Sequence, residues 1–250
     1  MKFMPEESVS SWKDTVYQSY VSSGHVPDAG KSAEEHFRGR GAFLESIIRS
    51  HFPSDRAARI LDIGCGHGAL PYFLYRAGYS NVRGVDGSRE QVELARRLGI
   101  TGVEYGEALG FLHNFENASA EAICLFDVLE HLTRQEAFDL LEEVRRVLSP
   151  GGRCIGHVPN AAGIFGSRIR YGDLSHEQAF TASSLSQMFR SLGFSEVRCF
   201  EDKPIVHGAT SAVRRILWQL GTVPFRLLSA AETGSFGVIL SQNVLFVAHL

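Results

Sequence analysis

The chain has 250 residues, of which 44% are hydrophobic and 21% are charged, and its formal net charge at pH 7 is −3. This length suits one large domain with a sizeable core. The small net charge provides no strong field for nucleic acid or an anionic membrane, so we expect no nucleic-acid partner, whereas peripheral contact with a membrane stays an open alternative. No apolar stretch has the length of a signal peptide or a membrane span, so we expect a cytoplasmic protein. The widely spaced cysteines form no C-x-x-C pair and are expected to be buried free thiols: Cys65, Cys124, Cys154 and Cys199.

Apolar periodicity predicts a helix first and then an alternation of strands and helices. Apolar residues between Phe37 and Ile48 recur at helical spacing, after a Gly/Pro/Asp-rich break at 22–28, and Pro53 ends this pattern. From residue 58 onwards, short apolar runs alternate with helical patterns. Strands are predicted at 59–63, 82–86, 122–126 and 153–158, and helices at 70–77, 89–98, 134–148 and 182–192. This alternation is typical of an α/β fold with a doubly wound, mostly parallel sheet.

The C-terminal part breaks this alternation. Two further strands, at 196–200 and 243–248, are separated by a long insertion at 203–237. The insertion contains an amphipathic helix whose apolar face consists of Val213, Ile216, Leu217 and Leu220, beside Arg214 and Arg215. Such a face suits a lid helix packed on the domain, a homodimer contact, or a pocket for a lipid-linked or aromatic acceptor.

A glycine-rich turn lies between the first predicted strand and the helix after it. In open α/β sheets a ligand binds at this edge, and glycines let it approach the backbone closely. The spacing Gly64-x-Gly66-x-x-Ala69 also fits a dinucleotide site, but Asp62 favours a ligand with an ammonium group over a pyrophosphate. With Gly68 the segment reads D-x-G-x-G-x-G, which resembles the first motif of class I S-adenosylmethionine methyltransferases.

The resemblance extends to residues that would hold the cofactor. Asp86 ends the second strand, about 20 residues after the turn, where a carboxylate accepts hydrogen bonds from the ribose hydroxyls. The resemblance implies that Glu107 lies beside the adenine, that Phe126 lies near the methionyl part, and that Arg40 reaches the cofactor carboxylate from an N-terminal lid. The predicted cofactor-binding residues are Arg40, Asp62, Gly64, Cys65, Gly66, Gly68, Asp86, Gly87, Glu107, Ala108 and Phe126.

The likeness covers most of the chain. It includes 127–132 and 148–152, and 168–181 and 231–234 resemble a bacterial subgroup associated with polysaccharide and other secondary biosynthesis. It implies a Rossmann-like sheet of seven strands with the last strand antiparallel. We expect a single methyltransferase domain over 1–250, made of a helical lid at 1–55, a cofactor-binding core at 56–202, the insertion at 203–237 and a final strand at 238–250.

Two histidines are the predicted catalytic residues. Transfer of a methyl group to a hydroxyl requires a group that removes the proton, and His131 and His176 follow the fourth and fifth strands, where they would meet over the methyl group. Asp127-x-x-Glu130-His131, followed by His176 and Thr181, resembles a metal-binding pattern of methyltransferases that act on the terminal ribose of small RNAs. Its first half also resembles some ubiquinone-pathway O-methyltransferases.

That likeness implies a divalent ion such as Mg²⁺, held by Asp127, Glu130, His131 and His176. Asp127 stands where those families carry glutamate, and its side chain is shorter by one methylene group. The alternative is a metal-free histidine base.

The expected activity is O-methylation of a hydroxyl on a small molecule or glycan, with S-adenosylmethionine as cofactor. The alternatives are N- or C-methylation of a small metabolite, and a non-catalytic partner protein that binds the cofactor. A nicotinamide dehydrogenase is disfavoured because no separate catalytic domain follows the nucleotide-binding part.

Overall fold

One sheet of seven strands organises the chain, for which the computed structural model describes residues 12–25 and 32–250. The strands are β1 Arg59–Ile63, β2 Asn81–Asp86, β3 Val103–Tyr105, β4 Ala120–Phe126, β5 Leu148–Pro159, β6 Glu196–Glu201 and β7 Asn243–His249. Their order across the sheet is β3-β2-β1-β4-β5-β7-β6. β7 runs antiparallel to both neighbours, and the other pairs are parallel. The predicted fold, including its antiparallel last strand, is confirmed.

Helices connect and cover the strands. They are α1 Trp12–Gln18, α2 Ala33–His51, α3 Ala69–Arg76, α4 Arg89–Arg97, α5 Ala108–Leu112, α6 Arg134–Val147, α7 Gly166–Arg170, α8 Ala182–Ser191 and α9 Ala209–Thr233. A π-helical turn spans Val21–His25, and a 3₁₀ turn spans Leu129–His131. Residues 1–11 and 26–31, which belong to the predicted lid and break, lie outside the described residues.

Alternate residues of the central strands build two separate cores. Leu61 and Ile63 of β1 join the core beneath α5, α6 and α8, whereas Ile60 joins the core beneath α2, α3 and α4. The same division separates Ile123 from Ala122 on β4. Because successive side chains of a strand point to opposite faces, a buried parallel strand needs apolar residues on both. This explains the continuous apolar runs in the sequence.

The order of the strands locates the candidate site. After β1 the chain forms β2 and β3 on one side of β1, and it then crosses to the other side to form β4. In an open α/β sheet this reversal creates a crevice at the carboxyl ends of the two strands. The glycine turn follows β1, and the segment 127–131 follows β4, so both lie at this edge.

The amphipathic insertion forms α9, but its orientation differs from that of a packed lid. Val213, Ile216, Leu217 and Leu220 are 54–66% exposed, whereas Ser211 and Thr222 are buried. The interpretation of this apolar face as the one that packs on the domain is therefore wrong. Among the described residues, no helix combines the length and apolar character needed to cross a membrane.

Candidate active site

The turn after β1 needs glycine because its backbone is left-handed at three positions. Gly64, Gly66 and Gly68 have φ angles of +68°, +56° and +83°, a region that side chains other than glycine rarely adopt. The N–H groups of Gly64 and Cys65 donate to the carbonyl of Val85 at 2.8 and 3.0 Å. These bonds hold the turn against the end of β2.

Two buried carboxyl groups lie behind this turn. Asp62 is 2% exposed, and burial, together with the charge of Asp86, raises its pKa well above the usual range. Asp86 accepts hydrogen bonds from the N–H groups of Gly66 (2.7 Å) and Ser88 (2.8 Å). Asp86 thus fixes the shape of the turn, and its contact with a ribose stays a prediction.

A cavity of about 670 Å³ opens in front of the turn. Six of the eleven predicted cofactor-binding residues line it: Arg40, Asp62, Gly64, Cys65, Gly66 and Phe126. The other five, Gly68, Asp86, Gly87, Glu107 and Ala108, lie outside its described lining. Gly68 precedes α3, and Glu107 is exposed at the start of α5. The cofactor contacts of all eleven residues stay predictions.

The predicted catalytic and metal-ligating residues line the same cavity. The ring centroids of His131 and His176 are 4.7 Å apart, although the two residues are 45 positions apart in the chain. The N–H groups of Glu177 and Gln178 donate to the carbonyl of Glu130 at 2.7 and 3.2 Å. These backbone bonds fasten the segment after α7 to the 3₁₀ turn after β4, which explains how the two imidazoles meet.

Hydrogen bonds fix the tautomer of both imidazoles. Nδ1 of His176 lies 3.0 Å from the carbonyl oxygen of Ile169, which can only accept, so Nδ1 carries the proton. Nδ1 of His131 lies 2.8 Å from the Ser175 hydroxyl, and this hydroxyl donates its own proton to Asp173 at 2.6 Å. Nδ1 of His131 is therefore also the donor. In both rings the lone pair belongs to Nε2.

Glu130 completes this cluster. Its side chain is buried at 1% exposure, and its Oε2 has no hydrogen-bond partner among the described residues. Burial, together with the charge of Asp127, raises its pKa well above the usual range. Potential ligand atoms of Glu130, His131 and His176 all lie within 4.8 Å of one another. We refer to these three residues as the Glu-His-His cluster.

Asp127 is not a member of this cluster. Its carboxylate lies 2.6 Å from Nδ1 of His157 and 3.4 Å from the guanidinium of Arg40, and its N–H donates to the carbonyl of His157 at 2.8 Å. Its φ angle of +57° is in the left-handed region, which is uncommon for residues other than glycine. The predicted ligand set of four residues is thus reduced to three.

His157, at the end of β5, is the site residue that sequence reasoning missed. Its second nitrogen, Nε2, lies 3.3 Å from Asp202. Burial alone would lower the pKa of His157, but the two carboxylates outweigh it and raise the pKa to about 10. A histidine at the end of a strand on the ligand-binding edge was the available signal, but its partners come from 30 and 45 positions away.

Because His157 is charged in the folded protein, we expect the protein to lose stability at alkaline pH. The stabilisation that comes from a raised folded-state pKa is complete below the unfolded pKa of about 6.5, and it is lost as the pH approaches 10. The free energy of unfolding, measured in urea, should therefore fall between pH 7 and 9 by up to about 1.4 kcal/mol per pH unit. His157→Gln should lack this component, and an equally steep fall in the variant would contradict the assignment.

The N-terminal segment closes over this part of the cavity. Nζ of Lys13 donates to the carbonyl of His131 at 3.1 Å, and the hydroxyl of Tyr20 donates to Asp173 at 2.6 Å. Asp173 therefore receives hydrogen bonds from both Tyr20 and Ser175. The described part of the predicted lid supports the residues that orient His131.

Comparison with known proteins identifies the class of this domain. A family model described as a methyltransferase domain matches residues 35–198, which is more than half of the chain. The chain belongs to this methyltransferase family. Its fold is similar to the crystal structure of an S-adenosylmethionine-dependent methyltransferase from Archaeoglobus fulgidus, with 20% identity and a TM-score of 0.65, covering 87% of this chain and 97% of that one. The predicted resemblance to class I methyltransferases is confirmed.

The relatives found by sequence comparison match only part of this chain and part of their own length. An uncharacterized 37.1 kDa protein in transposon TN4556 of Streptomyces fradiae is 34% identical over 69% of this chain and 47% of its own length. A ubiquinone biosynthesis O-methyltransferase of Chelativorans sp. is 33% identical over 45% of this chain and 47% of its own length. The chain thus spans about half the length of the curated relatives it matches.

Proposed function

We propose that this protein transfers a methyl group from S-adenosylmethionine to a hydroxyl oxygen of a small molecule or glycan. The observation that carries the proposal is one cavity lined by both the glycine turn and the Glu-His-His cluster. Membership of the methyltransferase family supports the transfer. Similarity to a ubiquinone biosynthesis O-methyltransferase supports oxygen as the accepting atom.

The acceptor hydroxyl loses one proton in this reaction, and a base must accept it. As the acceptor oxygen attacks the methyl carbon, the carbon–oxygen bond forms, the carbon–sulfur bond breaks, and S-adenosylhomocysteine leaves. Burial and the neighbouring His176 lower the pKa of His131 to about 4, so its imidazole is neutral at physiological pH. Its Nε2 lone pair is then available to a hydroxyl proton or to a metal ion.

The residues of the cluster fit a divalent metal. Two Nε2 lone pairs and a buried carboxylate oxygen without a partner form a two-histidine, one-carboxylate set. The Nδ1–H groups donate to Ile169 and Ser175, as the second nitrogen of a metal-bound histidine usually does. A bound ion would supply Lewis acidity that lowers the pKa of an acceptor hydroxyl.

This donor set also selects among metals. Mg²⁺ prefers oxygen ligands, whereas imidazole suits zinc and the transition metals. Since Asp127 is engaged with His157 and Arg40, the cluster offers one carboxylate and two nitrogens. We therefore expect Mn²⁺, Co²⁺ or Zn²⁺ to bind more tightly than the Mg²⁺ that the sequence pattern implies.

Removal and return of the metal test the proposal. Treatment with a chelator should abolish methyl transfer from labelled cofactor to a panel of catechols and sugars, because the acceptor hydroxyl would keep its proton. Mn²⁺ or Zn²⁺ should restore activity better than Mg²⁺. S-adenosylhomocysteine affinity, measured by calorimetry, should stay unchanged, since the glycine turn holds no metal ligand.

Each alternative has its own outcome in this experiment. Full turnover after chelation, with activity falling as histidine becomes protonated, would favour the metal-free base. A labelled product with amine acceptors only would replace O-methylation by N-methylation. Cofactor binding without any labelled product would favour the non-catalytic partner protein.

A further inference from the structure

The carboxylate of Asp127 has one firmly held oxygen and one weakly held oxygen. Oδ1 lies 2.6 Å from Nδ1 of His157, whose side chain is 7% exposed. Oδ2 faces the guanidinium of Arg40 at 3.4 Å, and the side chains of Arg40 and Asp127 are 61% and 37% exposed. Because water screens an exposed ion pair, this second contact is weak. A ligand can therefore replace Arg40 at Oδ2 while the bond to His157 stays in place.

The surroundings of Asp127 favour its negative charge. Burial alone would raise its pKa, but the charged His157 outweighs this effect and lowers the pKa to about 2. Asp62, which the sequence pairs with a ligand ammonium group, has the opposite environment, since burial and the charge of Asp86 raise its pKa. Both carboxyl groups line the cavity. Of the two, Asp127 offers a cation the stronger attraction, because its ionised form is the favoured one.

Asp127 also lies on the side of the glycine turn that is opposite to the predicted ribose site. β1, which precedes the turn, lies between β2 and β4 in the sheet. Asp86, the predicted ribose partner, ends β2, whereas Asp127 directly follows β4. The next residue, Val128, packs against the turn, because a Cβ at Gly64 would lie 2.5 Å from its Cγ2. A ligand with its ribose at β2 would therefore extend across the turn towards Asp127.

The Arg40–Asp127 ion pair matches the charges of an α-amino acid. Such a group carries its ammonium and its carboxylate on the same carbon atom, so the two charges lie close together. The fork of N–H donors on Arg40 fits a carboxylate, and the oxygens of Asp127 accept hydrogen bonds from an ammonium group. The 3.4 Å distance between the two side chains places both charges in one small part of the cavity lining. A zwitterionic ligand would thus replace one ion pair by two.

We propose that Asp127 binds the ammonium group at the α-amino-acid end of the cofactor while Arg40 binds its carboxylate, so that the ligand replaces the ion pair between these two side chains. This inference rests on S-adenosylmethionine as the proposed cofactor. Asp127, which the Glu-His-His cluster does not include, then has a role of its own in the site. It selects adenosyl ligands that carry an amino acid over those that lack one.

Calorimetry with two ligands tests this role. S-adenosylhomocysteine has the amino-acid end, and 5′-methylthioadenosine has the same nucleoside and thioether without it. Asp127→Asn should weaken S-adenosylhomocysteine binding by about 10–100-fold, as expected for the loss of a charged hydrogen bond, and should leave 5′-methylthioadenosine binding unchanged. Asparagine tolerates the φ angle of +57° at this position. Asp139→Asn, on α6 and outside the described lining of the cavity, is the matched control and should bind both ligands like the wild type.

Two analogues of S-adenosylhomocysteine separate the two charges. The deaminated analogue lacks the ammonium group and should bind Asp127→Asn at least as tightly as the wild type, because the substitution releases Arg40 for the carboxylate. The decarboxylated analogue keeps the ammonium group and should bind Asp127→Asn about 10–100-fold more weakly than the wild type. Arg40→Gln should show the reverse pattern, with a loss of affinity for the deaminated analogue only. Circular dichroism and thermal melting verify that each variant remains folded.

Three results would overturn the proposal. The first is an equal loss of affinity for S-adenosylhomocysteine and 5′-methylthioadenosine in Asp127→Asn, which would show that Asp127 only shapes the site. The second is an unchanged S-adenosylhomocysteine affinity in this variant, which would place the ammonium group elsewhere. Both results leave the proposed cofactor intact, because the wild type still binds it. The third is a wild-type chain that binds neither ligand, which would overturn the proposed function and this inference with it.

Discussion

His176→Ala is expected to lower kcat by about 10²–10⁴-fold while S-adenosylhomocysteine affinity stays unchanged. The reason is that Nε2 of His176 is one of only two imidazole lone pairs in the Glu-His-His cluster, whether the cluster holds a metal or accepts the proton directly. Initial-rate assays with labelled cofactor give kcat and KM, and calorimetry gives the cofactor affinity. A variant with wild-type turnover would remove the cluster from the reaction.

Two further variants test whether His131 and His176 act together or independently. If His131 and His176 act together, the double alanine variant should lose no more activity than the worse single variant. Ser175→Ala keeps both imidazoles but removes the acceptor for Nδ1 of His131, and should cost about 10–100-fold, the usual effect of losing such an orienting partner. Losses that multiply in the double variant would show that the two histidines act separately.

Gly66→Val is expected to reduce S-adenosylhomocysteine affinity by about 100-fold. At φ = +56° a β-branched residue is strained, and a Cβ at this position would lie 3.1 Å from Oε1 of Gln91. The turn must change shape, and with it the hydrogen bond from Gly66 to Asp86. Thermal melting with added ligand measures the effect, because a bound ligand raises the melting temperature.

Gly78→Val is the matched control for this prediction. Gly78 has φ = +91°, is exposed after α3, and a Cβ there would meet nothing within 4 Å. Both variants should lose about 1–2 kcal/mol of stability from the strained backbone, but only Gly66→Val should lose the ligand-induced rise in melting temperature. A rise with NAD instead of S-adenosylhomocysteine in the wild type would contradict the proposed cofactor.

Local pattern alone determined the nucleotide-binding half of the fold. The predicted strand at 59–63 coincides with β1, and the predicted helix at 89–98 ends one residue beyond α4. Both are fixed by signals within a few residues: apolar runs, the N-cap serine Ser88, and glycines whose positive φ no other residue adopts easily. Such signals depend on neighbours in the sequence, so the sequence is sufficient to read them.

Partners distant in the sequence were decided only by the tertiary structure. His157 and Asp127 meet because β5 lies beside β4 in the sheet, and this pairing removes Asp127 from the ligand set that its spacing suggests. The apolar face of α9 was visible in the sequence. Apolar periodicity shows that a helix has such a face, but it does not show whether the face points towards the domain or towards solvent. That direction depends on which side of the helix finds polar partners such as Glu201 on the domain, and the residues that supply them come from other parts of the chain.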